Sequence, residues 1–140
     1  MNVLIDTNIA LDILLKREPY CQYAARISVL SEKGYICSYM SASAVTDIYY
    51  VAKKELKNKT LALELLRKLL KITHVAAVTE TSIYEALDLE WDDFEDSVQY
   101  IAGKSIAADY IITRNPKDFV NSLINVISPD EFLNRITQKE

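Results

Sequence analysis

Apolar residues in this chain fall into short solid runs separated by longer stretches of helical period. Val3-Leu4-Ile5 is one such run, the kind needed by a strand covered on both faces. Segments 35–38, 74–78, 110–113 and 125–127 read the same way. After Asp6-Thr7-Asn8, a turn and helix-cap sequence, Ile9, Leu11, Leu14 and Leu15 follow a helical pattern. Pro19 is expected in the first turn of a second helix, with Tyr20, Ala24, Ile27 and Leu30 at helical spacing and Gly34 as its C-cap. Val45, Ile48, Ala52 and Leu56 form one stripe of a helix over 43–56. Thr60 is expected to cap a leucine-rich helix through Leu70, and helices are predicted over 82–89 and 95–108. Ser128-Pro129 opens a last one, through Ile136. Short apolar strands alternating with helices predict a parallel sheet with helices on both faces. Right-handed crossovers then gather the post-strand connections at one sheet edge, where ligands bind in such folds.

A length of 140 residues predicts one domain over 1–140, with enough chain for its own core. Half the residues are hydrophobic and two are Gly, which excludes a disordered or low-complexity class. The net charge is −4, with 20 acidic against 16 basic residues. A purely electrostatic binder of nucleic acid would be basic, so any such role has to rest on a local patch or on metal ions. Cys21 and Cys37 have no metal-ligand or disulfide spacing and are expected to be small core residues. The N-terminus lacks the features of a signal peptide, and no apolar run reaches the roughly 18 residues of a membrane span. A cytoplasmic protein with no membrane association is expected.

The acids stand where such a fold does its chemistry. Asp6 follows the first strand, Asp47 flanks the apolar stripe of its helix, and Asp92, Asp93, Glu95 and Asp96 open the helix before the fourth strand. Asp118 follows that strand. Each has an ordinary structural use: turn formation for Asp6, pairing with Tyr50 or Lys54 for Asp47, and N-terminal capping by Asp93. Because Glu95 points about 100° away from Asp96 on a helix, only one of the two is expected to join a shared pocket. Together, converging carboxylates would raise one another's pKa and oppose folding. A divalent cation removes that conflict, and oxygen ligands suit hard Mg²⁺ or Mn²⁺. With a single His and no Cys cluster, zinc is disfavoured.

Four segments carry a resemblance: VLIDTNIALDILL, SASAVTDIYYVAKK, DFEDSVQYIAGKSIAADYIITRNPKDF and SPDEFL. In this order, over nearly the whole chain, they resemble the PIN-domain ribonucleases, particularly the branch related to VapC-type toxins of toxin–antitoxin modules. The resemblance implies a three-layer α/β/α PIN-like fold with a short, mainly parallel sheet of about five strands. It implies a metal-dependent endoribonuclease hydrolysing RNA phosphodiester bonds, using Mg²⁺ or Mn²⁺ held by Asp6, Asp47 and Asp96. Asp47 stands where many members have Glu, and Asn115 stands where many have a fourth acid. Asn115 and Asp118 are therefore both candidates to complete the pocket, with Thr113 and Asn8 as supporting polar groups. The partners implied are an RNA substrate, an antitoxin and a second copy of the chain.

Arg114 and Lys117 are candidates for phosphate contact, while Lys53, Lys54, Lys57 and Lys59 form a basic run that a solvated helix end also explains. Tyr49 and Tyr50 are candidates for base stacking or for core packing. The competing reading is a catalytically weakened PIN-fold scaffold or binding protein, which Asn115 keeps open. A phosphoacceptor receiver domain fits poorly, because no acid pair follows the first strand and no Lys follows the fifth.

Overall fold

The computed structural model describes residues 1–138. In chain order the elements are β1 (Asn2–Ile5), α1 (Thr7–Leu15), α2 (Cys21–Glu32), β2 (Cys37–Ser41), α3 (Ala42–Leu56) and α4 (Lys59–Leu69). There follow β3 (His74–Ala76), α5 (Glu80–Leu89), α6 (Phe94–Ser105), β4 (Tyr110–Ile112), a 3-10 turn over Pro116–Asp118, β5 (Asn125–Ile127) and α7 (Pro129–Gln138). The five strands lie in the order β3-β2-β1-β4-β5, and every pairing is parallel.

The sheet separates two apolar layers, and the alternation of side chains along β1 shows how. Val3 and Ile5 point into a core with Ile9 and Leu14 of α1, Ala24 and Ile27 of α2, Ala44 and Ile48 of α3, and Phe132 of α7. Leu4 points the other way, into a core with Ala86 of α5 and Val98, Ile101 and Ala102 of α6. The result is the three-layer α/β/α arrangement. Gly103 lets α6 approach the sheet closely: a Cβ there would meet Ile124 Cδ1 at 3.3 Å and Leu4 Cδ2 at 3.6 Å.

Local details differ from the periodicity: the helix expected over 95–108 spans Phe94–Ser105 and the strand expected over 74–78 spans His74–Ala76. The second strand is shifted to Cys37–Ser41, because Asn2 of β1 pairs with Cys37 and leaves Tyr35 outside the sheet, 66% exposed. Asn58, not Thr60, caps α4; its Oδ1 accepts the Leu61 amide at 3.0 Å. Pro19 precedes α2, whose N-cap is Tyr20. Cys21 and Cys37 are half-buried rather than core residues. Gly34 does end the α2 segment, with φ of 80° in the left-handed region where a side chain would be strained.

The chain places β2 on one side of β1 and, after crossing to the other face through α5 and α6, places β4 on the other side. The strand order reverses between β1 and β4. Connections leaving that point diverge, so a crevice opens at the carboxyl ends of these two strands.

Candidate active site

Asp6 and Thr113 stand at that crevice, directly after β1 and β4. The Asp6 amide still belongs to the sheet, donating to Ile112 O at 2.9 Å, while its side chain begins α1. Asp6 Oδ1 accepts from the Thr7 amide at 2.7 Å and from Gln99 Nε2 at 2.9 Å, and Oδ2 accepts from Thr113 Oγ1 at 2.7 Å. Asp6, Gln99 and Thr113 are all buried. Three short bonds to one carboxylate leave it little freedom to turn.

The N-terminal turn of α6 faces this carboxylate. Asp93 caps the helix, accepting the Asp96 amide at 3.1 Å. Burial raises the Glu95 pKa to about 7, assisted by hydrogen bonding to and repulsion from Asp47 and by the charge of Asp6. Thr7 Oγ1, 3.3 Å from Glu95 Oε1, acts in the opposite direction. Burial likewise raises Asp96 to about 7, and the charges of Asp93, Asp6, Asp118 and Glu95 add to the shift. Both acids of this first turn therefore feel the charge of Asp6, each with a different further neighbour. Successive residues of a first turn diverge by about 100°, and their neighbours differ accordingly. Glu95 lies toward Asp47 and Asp96 lies toward Asp118.

The remaining candidates divide into groups. Asp47 is exposed on α3 and faces Glu95 across the cluster. Asn115 reaches the site through its backbone, its amide donating to Thr113 Oγ1 at 3.1 Å, and its side chain is exposed. Asn8, on the first turn of α1, buries an Oδ1 that has no hydrogen-bond partner. Asp96, Lys117 and Asp118 share the wall of a cavity of about 440 Å³ that continues past the acids to Trp91 and Val120.

Arg114 contacts Asp12 and Tyr20. Its Nε stands 3.0 Å from Asp12 Oδ2, near enough for charge pairing although the N–H is not aligned for a hydrogen bond. Its guanidinium also lies 4.1 Å from the Tyr20 ring centroid. Asp12 is fully buried on α1, and desolvation raises its pKa against the opposing pull of Arg114 and Arg17. Asp12 and Gln99 were not singled out from the sequence. Gln99 had a readable signal: it is polar, one turn beyond Asp96, and sits inside the otherwise apolar run VQYIAG.

Among the described residues, no three His, Cys, Asp or Glu side chains converge tightly enough to ligate one ion as they are placed. What the cluster offers is a set of carboxylate oxygens whose mutual repulsion a cation would relieve, together with a rigid Asp6. That chemistry fits a hard divalent ion and not a soft one.

A PIN-domain family model matches residues 2–117. The chain belongs to the PIN-domain family. Among curated relatives, the ribonuclease VapC1 of Aquifex aeolicus (strain VF5) is 25% identical over 138 residues, covering 95% of this chain and 94% of that protein. Among solved structures, VapBC2 from Rickettsia felis, bound to a DNA fragment from its promoter, superposes with a TM-score of 0.70 at 14% identity. That match covers 91% of this chain and 98% of the other. VapC20 of Mycobacterium tuberculosis, described as a toxin that cleaves the sarcin-ricin loop, superposes with a TM-score of 0.63 at 12% identity. It covers 78% of this chain and 86% of its own. These structural likenesses carry the fold.

Proposed function

We propose that this PIN domain is a divalent-metal-dependent endoribonuclease and the toxin of a toxin–antitoxin pair, acting in the cytoplasm. The observation that carries the reading is the immobilised Asp6 carboxylate at the β1–β4 crevice, faced by Glu95 and Asp96, both raised to about 7. The VapC1 ribonuclease relative supports RNA as substrate. The VapBC complex among the structural neighbours supports an antitoxin partner.

Asp6, Asp96, Glu95 and Asp47 would hold Mg²⁺ or Mn²⁺, which when bound supplies positive charge for a phosphodiester and acidifies water. Thr113 and Gln99 fix the orientation of Asp6, so the carboxylate need not reorganise during the reaction. Glu95, raised to about 7 beside Asp47, can hold or release a proton near neutral pH, a property suited to positioning the attacking water or accepting its proton. Asn115 and Asp118 border the far side, where Asp118 adds to the negative field on Asp96.

The test is cleavage of a structured RNA by purified protein with Mn²⁺ or Mg²⁺ and with chelator, compared with Asp6→Asn. Metal-dependent cleavage lost in the variant is expected; full cleavage by Asp6→Asn overturns the pocket assignment. A scaffold without catalysis is the second reading, favoured by Asn115 and by the absence of three converged ligands among the described residues. Mn²⁺ titration followed by thermal melting separates the two, since a real site raises the midpoint by mass action.

A further inference from the structure

We infer that the outer face of α3, from Tyr50 to Lys57, is a track for single-stranded RNA leading to the acid pocket. This inference rests on the nuclease reading above and adds the path of its substrate.

Helical geometry aligns the track with the pocket. Lys54 follows Asp47 by seven residues, within about 20° of two full turns and roughly 10 Å along the axis. Tyr50 lies between them, about 60° to one side. Its ring is 65% exposed and braced edge-to-face by Tyr49, with centroids 5.1 Å apart at 72°. An aromatic ring held at its edge with an open face is a platform on which any unpaired base can stack.

The charge around Tyr50 is positive. Lys53 and Lys54 are in the last turn of α3, Lys57 is its C-cap and Lys59 opens α4. All four are exposed, and none pairs with a carboxylate among the described residues. Glu55, the acid in their midst, is neutralised by Arg17 from the end of α1 at 2.7 Å. A chain of net charge −4 thus presents a local cationic strip that begins nearly two turns from Asp47. A polyanion approaching the carboxylates is repelled head-on and attracted along α3, so the strip determines the direction of approach.

Exposure alone does not single out Tyr50. Tyr84 on α5 is 60% exposed, yet its helix neighbours are Glu80, Glu85 and Asp88, a setting that repels phosphate. A stackable ring among lysines, in line with the pocket, occurs at Tyr50. Because a duplex hides its base faces, the track selects unpaired strand.

The experiment measures binding of a short single-stranded RNA and of the same sequence as a duplex. The protein carries Asp6→Asn to prevent cleavage, and salt is varied between about 50 and 200 mM. Adding Lys53→Gln, Lys54→Gln and Lys57→Gln together should reduce the slope of log affinity against log salt by about 2 for the single strand. Tyr50→Ala should weaken single-strand binding about tenfold and leave that slope unchanged, whereas Tyr84→Ala should have no effect. Melting curves check that the variants remain folded. Unchanged affinity and slope in the lysine variant, or equal binding of duplex, overturns the track. Loss of an acidic protein partner with RNA binding intact reassigns the strip to a protein interface and also overturns it. If the parent with Asp6 intact cleaves RNA while the lysine and Tyr50 variants bind normally, the nuclease reading stands and the track fails. If it neither binds nor cleaves RNA, both fail.

Discussion

Replacing Arg114 with Met would leave the fully buried Asp12 carboxylate without its counter-charge. At the 3.0 Å separation and an effective dielectric of about 20, the Coulomb attraction removed is about 5 kcal/mol. Desolvation of the two charges offsets most of that in the parent, so the pair adds little net stability. Removing one partner differs from removing both, because it strands the other charge, at about 3–5 kcal/mol. Protonation limits the loss. Neutralising a carboxyl of ordinary pKa 3.8 at pH 7 costs about 4 kcal/mol, and the ceiling falls by about 1.4 kcal/mol for each unit of acidification. Arg114→Met should therefore lose about 3 kcal/mol at pH 7, a fall in midpoint of roughly 10 °C, and at most about 2 kcal/mol at pH 5.5. Asp12→Leu should lose less, because the Arg114 side chain is 25% exposed and stacked on Tyr20, so its charge can still reach water. The double variant should return to within about 1 kcal/mol of the parent. Urea unfolding at both pH values measures all of these. A loss below about 1 kcal/mol for Arg114→Met, or no relief on acidification, would refute the account of a stranded buried charge.

Three further outcomes follow from the acid cluster. Glu95 and Asp96 bind protons more tightly folded than unfolded, with values raised to about 7 from 4.5 and 3.8, so metal-free stability should fall as pH rises from about 5 to 8. Thermal melting should show this decline, and saturating Mn²⁺ should flatten or reverse it; a metal-free midpoint that rises across this range contradicts the crowding. Gln99→Leu removes one donor to a charged carboxylate, worth about 1.5–3 kcal/mol, and should weaken Mn²⁺ binding roughly tenfold or more by calorimetry. Asp118→Asn should raise the metal-free midpoint at pH 8 by lifting a repelling charge from Asp96 while weakening Mn²⁺ affinity more than Asn115→Ala does.

Much of this architecture was legible because local signals and global fold agree. The solid runs at Val3–Ile5 and 110–113 demanded burial on both faces, and the Asp6-Thr7-Asn8 turn marked where β1 ends. Residues whose role depends on direction in space were harder to read. Glu95 and Asp96 diverge by helical angle, yet both feel the charge of Asp6, a proximity that helical period does not encode. Arg114 is a candidate phosphate ligand by its position after β4, and its partner Asp12, about a hundred residues earlier in an apolar helix, has no local signal. The shift of β2 came from its pairing with β1, which no local pattern encodes.

The pocket joins two kinds of backbone. The Asp6 amide is bonded to Ile112 O between the inner strands β1 and β4, and the residue also closes the first turn of α1. Asp118 sits in an exposed 3-10 turn. In hydrogen exchange the Asp6 amide should open only with global unfolding, whereas the turn carrying Asp118 should exchange through local fluctuation. One wall of the pocket is thus as durable as the whole protein, and the opposite wall can adjust to whatever enters.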